Sequence, residues 1–326
     1  MAAIRTARLA LFICALCASA AAAAANVGFR EIHETDGGGE FGLWYPSDAP
    51  PAPMQLGPFN VRYAADAPPA AGSFSVVVMS HGYGGRYHNH HLTAAHLAAN
   101  GFIVAAPQHR NDAWFAAGRT RAMHARIGEL GAALDALAAL PEFRAAANMD
   151  DVSAVGYSLG GATVVAAAGA EFDFSAAARH CKLRHEQDAY FCSALPWWAR
   201  LWHTLLSAIF PRGGGGIEPL AFRKVALAAP VGQLFKAEDL ADFRPDALIL
   251  RFARDEHLRY PFHAEYLRAH MPARAQLEVV DAHHYAFIAP VPERLRDNPS
   301  AFDPPDFDRA AFLERVNRRV LDFLRE

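Results

Sequence analysis

The chain has 326 residues, of which 52% are hydrophobic and 20% charged, and its formal net charge is −3. This hydrophobic fraction is enough for a large core, and the length allows one large α/β domain or two smaller ones. The mildly acidic balance, without a basic stripe to neutralise phosphates, argues against nucleic acid as a partner.

The first 25 residues have the pattern of a secretory signal peptide. Arg5 and Arg8 precede an uncharged apolar run, and small residues with A-x-A-like spacing follow it. The alternative is an uncleaved membrane anchor, although the run is short for a membrane span. We therefore expect an exported protein, periplasmic or secreted, whose main domain covers residues 26–326.

Apolar strands alternate with helices along most of this domain. An antiparallel edge pair is predicted at Phe29–Glu34 and Glu40–Tyr45. Further strands are predicted at Phe74–Met79, Phe102–Ala106, Val152–Val155, Val225–Ala228, Ala247–Leu250 and Leu277–Val280. Helices are predicted at Leu92–Asn100, Arg121–Leu140, Phe262–His270 and Asp308–Leu324. This alternation is typical of a mostly parallel sheet with helices on both faces.

The segment around Ser158 contains the most informative motif. Gly156-Tyr157-Ser158-Leu159-Gly160 lies between the strand at Val152–Val155 and a run of small apolar residues suited to a helix. Strand, G-x-S-x-G and helix in that order predict a nucleophile elbow, with Ser158 as the nucleophile.

An insertion at about residues 171–222 interrupts the strand–helix pattern. It contains Cys181 and Cys192, the two cysteines outside the signal peptide. In an exported chain such a pair favours a disulfide, and two free thiols are the alternative.

The same insertion contains an apolar helix face with a spacing of about four residues. Its residues are Trp197, Trp198, Leu201, Trp202, Leu205, Leu206, Ile209 and Phe210. One interpretation is a lid that lines an acyl pocket or makes transient contact with a membrane surface. The other is a cap helix packed on its own domain.

An activated serine needs a base, and the base needs an acid to orient it. In this fold the acid follows a late strand and the histidine follows the last one. Asp255 fits the first position, with Glu256 second. His284 fits the other, with His283 as the alternative. Two backbone N–H groups must also face the developing oxyanion.

The expected oxyanion donors are the N–H groups of Leu159, directly after the nucleophile, and of Tyr83. Tyr83 lies in the glycine-rich segment Ser80–Gly85, which follows an early strand as this role requires. His81 and His109, which also follow strands, are predicted to shape the substrate pocket.

Histidine is abundant, with 16 residues, and four of them cluster shortly after this loop. They are His88, His90, His91 and His96. A metal site is one interpretation, but no carboxylate or cysteine lies among them at ligand spacing, so a helix start is favoured. We expect neither a metal nor an organic cofactor.

The sequence resembles the bacterial "predicted dienelactone hydrolases" related to plasma-type platelet-activating factor acetylhydrolases, a group of α/β-hydrolases. The matching segments are Gly28–Arg30, Leu43–Pro46, Ser80–Gly85, Leu97–Phe102 and the elbow. The resemblance implies an α/β-hydrolase fold with an eight-stranded, mostly parallel sheet, a Ser158–His284–Asp255 triad, and oxyanion donors at Tyr83 and Leu159.

Three residues depart from that group. Tyr157 stands where the group often has His, and Gln108 stands where Asp is common. The dienelactone hydrolases proper use a cysteine nucleophile, whereas this chain has Ser158, which puts dienelactone chemistry in doubt.

Together these features predict an exported serine esterase acting on small-molecule or lipid-like esters, with short acyl chains favoured. A serine peptidase or amidase with the same triad is one alternative. A non-catalytic binding protein on the same scaffold is another, although serine, acid, base and both oxyanion segments are present in the required order.

Overall fold

The computed structural model describes residues 25–33, 39–110, 119–193 and 218–326. Within these residues the centre of the fold is a ten-stranded sheet. The strands are β1 Asn26–His33, β2 Glu40–Ser47, β3 Ala52–Leu56, β4 Phe59–Ala65, β5 Phe74–Ser80, β6 Phe102–Pro107, β7 Ala147–Tyr157, β8 Lys224–Ala228, β9 Asp246–Phe252 and β10 Ala275–Val280.

The sheet is mixed, with the order β10-β9-β8-β7-β5-β6-β2-β1-β4-β3. The six strands from β10 to β6 are parallel to one another. Beyond β6, β2 is antiparallel to both β6 and β1, and β3 is antiparallel to β4. The α/β class is confirmed, whereas the predicted eight-stranded, mostly parallel sheet is corrected to a mixed sheet of ten.

The difference arises from a hairpin that the sequence pattern did not reveal. β3 and β4 are joined at Gly57, whose φ of +53° suits a residue without a side chain. Leu56 is the one buried residue of β3, so that strand has no apolar run to detect. The antiparallel pair β1–β2 is present as predicted, but this hairpin extends the sheet beyond it and forms the edge instead.

Helices cover both faces of the sheet. They are α1 His91–Ala99, α2 Arg119–Ala139, α3 Leu159–Ala167, α4 Phe174–Arg184, α5 Ala189–Ser193, α6 Ala237–Ala241, α7 Ala264–His270 and α8 Arg309–Arg325. α1 and α8 pack in one core, and α2, α3, α6 and α7 pack in the other. Strand β5 supplies both, because Val76 and Val78 point to one face while Val77 and Met79 point to the other.

Helices α4 and α5 belong to the predicted insertion. The Cys181–Cys192 disulfide joins them, which confirms that prediction. The apolar helix predicted around Trp197, Trp198 and Trp202 lies outside the described residues.

A buried carboxylate connects this insertion to the main domain. Asp188 is 0% exposed, and its Oδ2 lies 2.8 Å from His180 Nε2 and 2.9 Å from His263 Nε2. Gly232 donates its N–H to His263 Nδ1, so His263 must hold its proton on Nε2 and donate it to Asp188. Burial opposes the charge on Asp188, but the two histidine hydrogen bonds outweigh it and lower its pKa to about 2.

None of the helices in the described part of the chain is long and apolar enough to cross a membrane. The predicted signal peptide, apart from Ala25, lies outside the described residues.

Candidate active site

Ser158 lies on a sharp turn between β7 and α3. Its φ is 55° and its ψ is −117°, a strained backbone conformation for a residue with a side chain. The flanking glycines have steric reasons to be there. A Cβ on Gly160 would lie 2.0 Å from the carbonyl oxygen of Ser80, and one on Gly156 would lie 2.5 Å from the carbonyl oxygen of Gly160.

The structure brings Ser158, His284 and Asp255 into one chain of hydrogen bonds. Ser158 Oγ lies 3.1 Å from His284 Nε2, and His284 Nδ1 lies 2.7 Å from Asp255 Oδ2. Asp255 follows β9 and His284 follows β10, so adjacent parallel strands deliver both side chains to the edge of the sheet where the elbow lies. In this arrangement the imidazole can accept the serine proton while the carboxylate fixes its orientation.

Asp255 is held as an ionised acceptor. Its Oδ1 accepts the backbone N–H groups of His257 and Leu258 at 2.8 and 2.9 Å. Burial opposes ionisation, but the charge and hydrogen bond of His284, together with these N–H groups, lower the pKa of Asp255 below its usual value.

The alternative acid and base lie elsewhere. Glu256 is exposed to solvent next to Asp255. His283 Nε2 lies 2.8 Å from Asp303 Oδ1, so its side chain is engaged with a different carboxylate.

Tyr157 has a specific contact that the resemblance did not suggest. Its hydroxyl donates a hydrogen bond of 2.8 Å to the carbonyl oxygen of His284, and its ring packs 5.3 Å from the His284 ring. The residue before the nucleophile therefore fixes the loop that carries the histidine.

The loop after β5 packs directly against the elbow. A Cβ on Gly82 would lie 3.3 Å from the Cβ of Ser158. Tyr83 lies at the cavity beside Ser158 and is 45% exposed. Leu159 is the first residue of α3, so its N–H is among the free donors at the positive end of a helix. The two expected oxyanion donors thus lie on segments that meet at Ser158.

A cavity of about 160 Å³ opens beside Ser158 and His284. Its apolar wall includes Leu159, Phe191, Val231, Leu258 and Ile288. Phe191 and the half-exposed Tyr190 come from α5, so the disulfide-linked insertion contributes to the cavity.

A chlorophyllase family model matches residues 60–178. No curated protein matches the chain. The match begins in β4 and ends in α4, so it includes the elbow and the loop after β5 but not Asp255 or His284. Chlorophyllases are carboxylic ester hydrolases, and the match therefore supports a hydrolase of that general kind. The more specific resemblance to dienelactone hydrolases and platelet-activating factor acetylhydrolases is not confirmed by it.

Some cavity residues gave no signal in the sequence. Tyr190 stacks on His257 with ring centres 3.6 Å apart, and His257 in turn lies 4.5 Å from the His284 ring. Burial, joined by repulsion whenever the His284 ring is protonated, lowers the pKa of His257 to about 4, so His257 is neutral at neutral pH. In the sequence, the one indication that His257 lies at the site is its position two residues after Asp255.

His81 and His109 do not line the cavity wall as predicted. They are 1% and 3% exposed and lie behind the loop, with ring centres 4.6 Å apart. Both follow strands, as the pattern indicated, but their side chains turn into the protein because they bond the loop's own backbone and a neighbouring helix.

The four clustered histidines have separate environments. His90 Nδ1 lies 3.0 Å from the carbonyl oxygen of Phe287, and His91 Nδ1 lies 3.0 Å from the Tyr63 hydroxyl. Within the described residues, two groups of side chains lie close enough to share an ion, and neither includes these four histidines. The two groups are His180, Asp188 and Cys192, whose sulfur is in the disulfide, and Glu31, His33 and Glu40 at the protein surface.

Proposed function

We propose that this chain is a serine hydrolase that cleaves carboxylic esters through Ser158, His284 and Asp255. The observation that carries the proposal is the continuous hydrogen-bonded chain of these three side chains on a strained elbow. The chlorophyllase family match over the elbow adds support for ester hydrolysis in general.

In the first half-reaction, Ser158 Oγ attacks the ester carbonyl carbon while His284 Nε2 takes its proton. Asp255 stabilises the imidazolium that forms. The carbonyl oxygen becomes negative and accepts hydrogen bonds from the N–H groups of Tyr83 and Leu159; one such donor is commonly worth about 10²–10³ in kcat. The tetrahedral intermediate then breaks its bond to the alcohol oxygen, which takes the proton from His284.

In the second half-reaction, a water molecule gives a proton to His284 and its oxygen attacks the acyl carbon. The same backbone donors hold the second oxyanion. When this intermediate collapses, the bond to Ser158 Oγ breaks and His284 returns the proton to the serine, which leaves a free carboxylic acid.

The cavity supports short acyl groups as the preferred substrates. Its volume of about 160 Å³ is close to that of an engineered apolar cavity of roughly 150 Å³ that holds one benzene. We therefore propose acyl chains of up to about six carbons. The proposed substrates include lipid-like esters, provided that the acyl group to be cleaved is short. A panel of matched esters and amides separates an esterase from a peptidase or amidase.

We also propose that the protein is exported. The basic, apolar and small-residue pattern of residues 1–25 carries this part, and the disulfide agrees with an oxidising compartment. Amino-terminal sequencing of the protein recovered outside the cytoplasm should begin near Asn26. Recovery with residues 1–25 still attached would contradict cleavage.

The decisive experiment is labelling with a fluorophosphonate, followed by peptide mapping. We expect one adduct, on Ser158, together with turnover of p-nitrophenyl acetate. Ser158→Ala should lose both, whereas Ser193→Ala on α5 is the matched control and should keep both. Folded protein without an adduct or turnover would favour a binding protein on this scaffold.

A further inference from the structure

A buried cation lies behind the proposed oxyanion hole. Arg126 on α2 is 1% exposed, so its guanidinium must be satisfied within the protein. One of its nitrogens, Nη2, donates to the carbonyl oxygen of His81 and lies 3.4 Å from Ser80 Oγ. Its Nε donates to Thr163 Oγ1 at 3.0 Å. The side chain therefore reaches two different segments that meet at Ser158.

Each of these segments carries one of the proposed oxyanion donors. The His81 carbonyl lies one peptide before the Gly82–Tyr83 peptide, whose N–H belongs to Tyr83. On the other side, Thr163 Oγ1 donates to the carbonyl oxygen of Leu159 at 3.0 Å, in the residue that supplies the other N–H. Arg126 thus bonds the Tyr83 segment directly, at the His81 carbonyl, and reaches Leu159 through the Thr163 hydroxyl.

The His81 ring completes the connection to Tyr83. The backbone N–H of His109 donates to His81 Nε2 at 3.2 Å, so the proton of the neutral ring is on Nδ1. That Nδ1–H donates to the carbonyl oxygen of Gly82 at 2.8 Å. This carbonyl belongs to the same peptide as the Tyr83 N–H, and a hydrogen bond to it both orients and polarises the donor.

A second serine–histidine–carboxylate chain holds the guanidinium in place. Ser80 Oγ lies 2.9 Å from His109 Nε2, and His109 Nδ1 lies 2.7 Å from Glu129 Oε2. Burial, followed by the charge of Arg126, holds the pKa of His109 well below its usual value, so its ring is neutral. One consistent set of protons then runs from Arg126 to Ser80, from Ser80 to His109 and from His109 to Glu129.

The hydrogen-bonded series Ser80–His109–Glu129 contains the same groups in the same order as a catalytic triad, but it has no access to substrate. Ser80 is 0% exposed and His109 is 3% exposed. The charge of Arg126 also reaches the loop, since it is the second largest cause, after burial, that lowers the pKa of His81. The arrangement therefore holds a positive charge and fixed hydrogen bonds behind the site where negative charge develops.

We propose that Arg126 is the positioning residue of the oxyanion hole, held by Ser80, His109 and Glu129. This inference rests on the proposed function. It assigns Arg126 no contact with substrate; its role is to set the position and field of the Tyr83 and Leu159 N–H groups.

The test compares Arg126→Met with Arg126→Lys, which keeps the charge but loses the fork of donors. Arg121→Met is the matched control, because Arg121 is exposed on the same helix. Active sites are counted by fluorophosphonate labelling, so misfolded protein does not enter the rate. Turnover of p-nitrophenyl acetate gives kcat and KM, and a trifluoromethyl ketone measures the affinity for an oxyanion adduct on Ser158.

For Arg126→Met we expect kcat per labelled site to fall about tenfold to a hundredfold. This is a smaller loss of kcat than the removal of one oxyanion donor causes. KM should change less than about threefold, and trifluoromethyl ketone affinity should fall with kcat, since both depend on the oxyanion. Arg126→Lys should recover part of the loss. If Arg126→Met does not fold, Glu129→Gln should show the same split with a smaller loss.

Equal kcat per labelled site in Arg126→Met and Arg121→Met would overturn this inference. Where Arg126→Met does not fold, equal kcat per labelled site in Glu129→Gln and wild type would overturn it. Either result would leave the proposed function standing. Wild-type protein without turnover or labelling would refute the proposed function and this inference with it.

Discussion

Replacing Asp188 by Asn tests the connection between the insertion and the main domain. The two side chains have nearly the same shape, so the change mainly removes a buried charge whose Oδ2 is bonded by two histidines. The pKa of Asp188 falls from an ordinary value of 3.8 to about 2. At about 1.4 kcal/mol for each pKa unit, ionised Asp188 contributes about 2 kcal/mol to folding at neutral pH.

The sign of the pH dependence follows from the lowered pKa. The contribution is complete well above pH 3.8, about half of it remains near pH 3, and it is lost as the pH falls through about 2. Urea unfolding of wild type and Asp188→Asn between pH 3 and pH 7 measures the difference, with the exposed Asp297→Asn as control. Equal stabilities at pH 7, or a difference that does not shrink towards pH 3, would refute this reasoning.

Three further changes probe the site. Asp255→Asn removes the acceptor that fixes the His284 ring, so kcat should fall by about 10⁴ with the fold retained; a loss of less than tenfold would assign the acid elsewhere. Replacing Cys181 and Cys192 by Ala should lower the free energy of unfolding by about 3 kcal/mol, judged from the short loop that the disulfide closes, and should raise KM because α5 lines the cavity; an unchanged melting temperature and KM would contradict both. Gly160→Ala places a methyl group against a backbone oxygen 2.0 Å away, so fluorophosphonate labelling should slow more than tenfold, a rough figure for a displaced elbow; labelling at the wild-type rate would show that the turn adapts.

The positions of the proposed nucleophile, acid and base could be located from sequence because each depends on local order. Ser158 lies within a strand–turn–helix motif, and Asp255 and His284 each follow an apolar strand. The order of the strands along the chain then indicates which side chains reach the site, since parallel strands end at one edge of the sheet. The structure adds the contacts that distinguish His284 from His283, which sequence position alone left open.

The network behind the loop could not be predicted in this way. Arg126 stands in an alanine- and leucine-rich helix, where an arginine is expected on the solvent side. Its partners Ser80, His81 and Thr163 lie on β5, on the loop after it and on α3, far from Arg126 in the sequence. Their roles depend on tertiary contacts, as does the role of Tyr190, whose stacking on His257 joins two segments far apart in the chain.

The elbow also has a consequence for how the chain folds. Ser158 donates its own N–H to the carbonyl oxygen of Ala228 and accepts the N–H of Val231, both located after the insertion, and its base lies 126 residues further along the chain. A nascent chain that ends before β8 leaves the Ser158 N–H without its acceptor and lacks the histidine altogether. Under the proposed function, Ser158 therefore gains its base only after β8, β9 and β10 have been added in turn, so ester turnover requires these three strands to be in place.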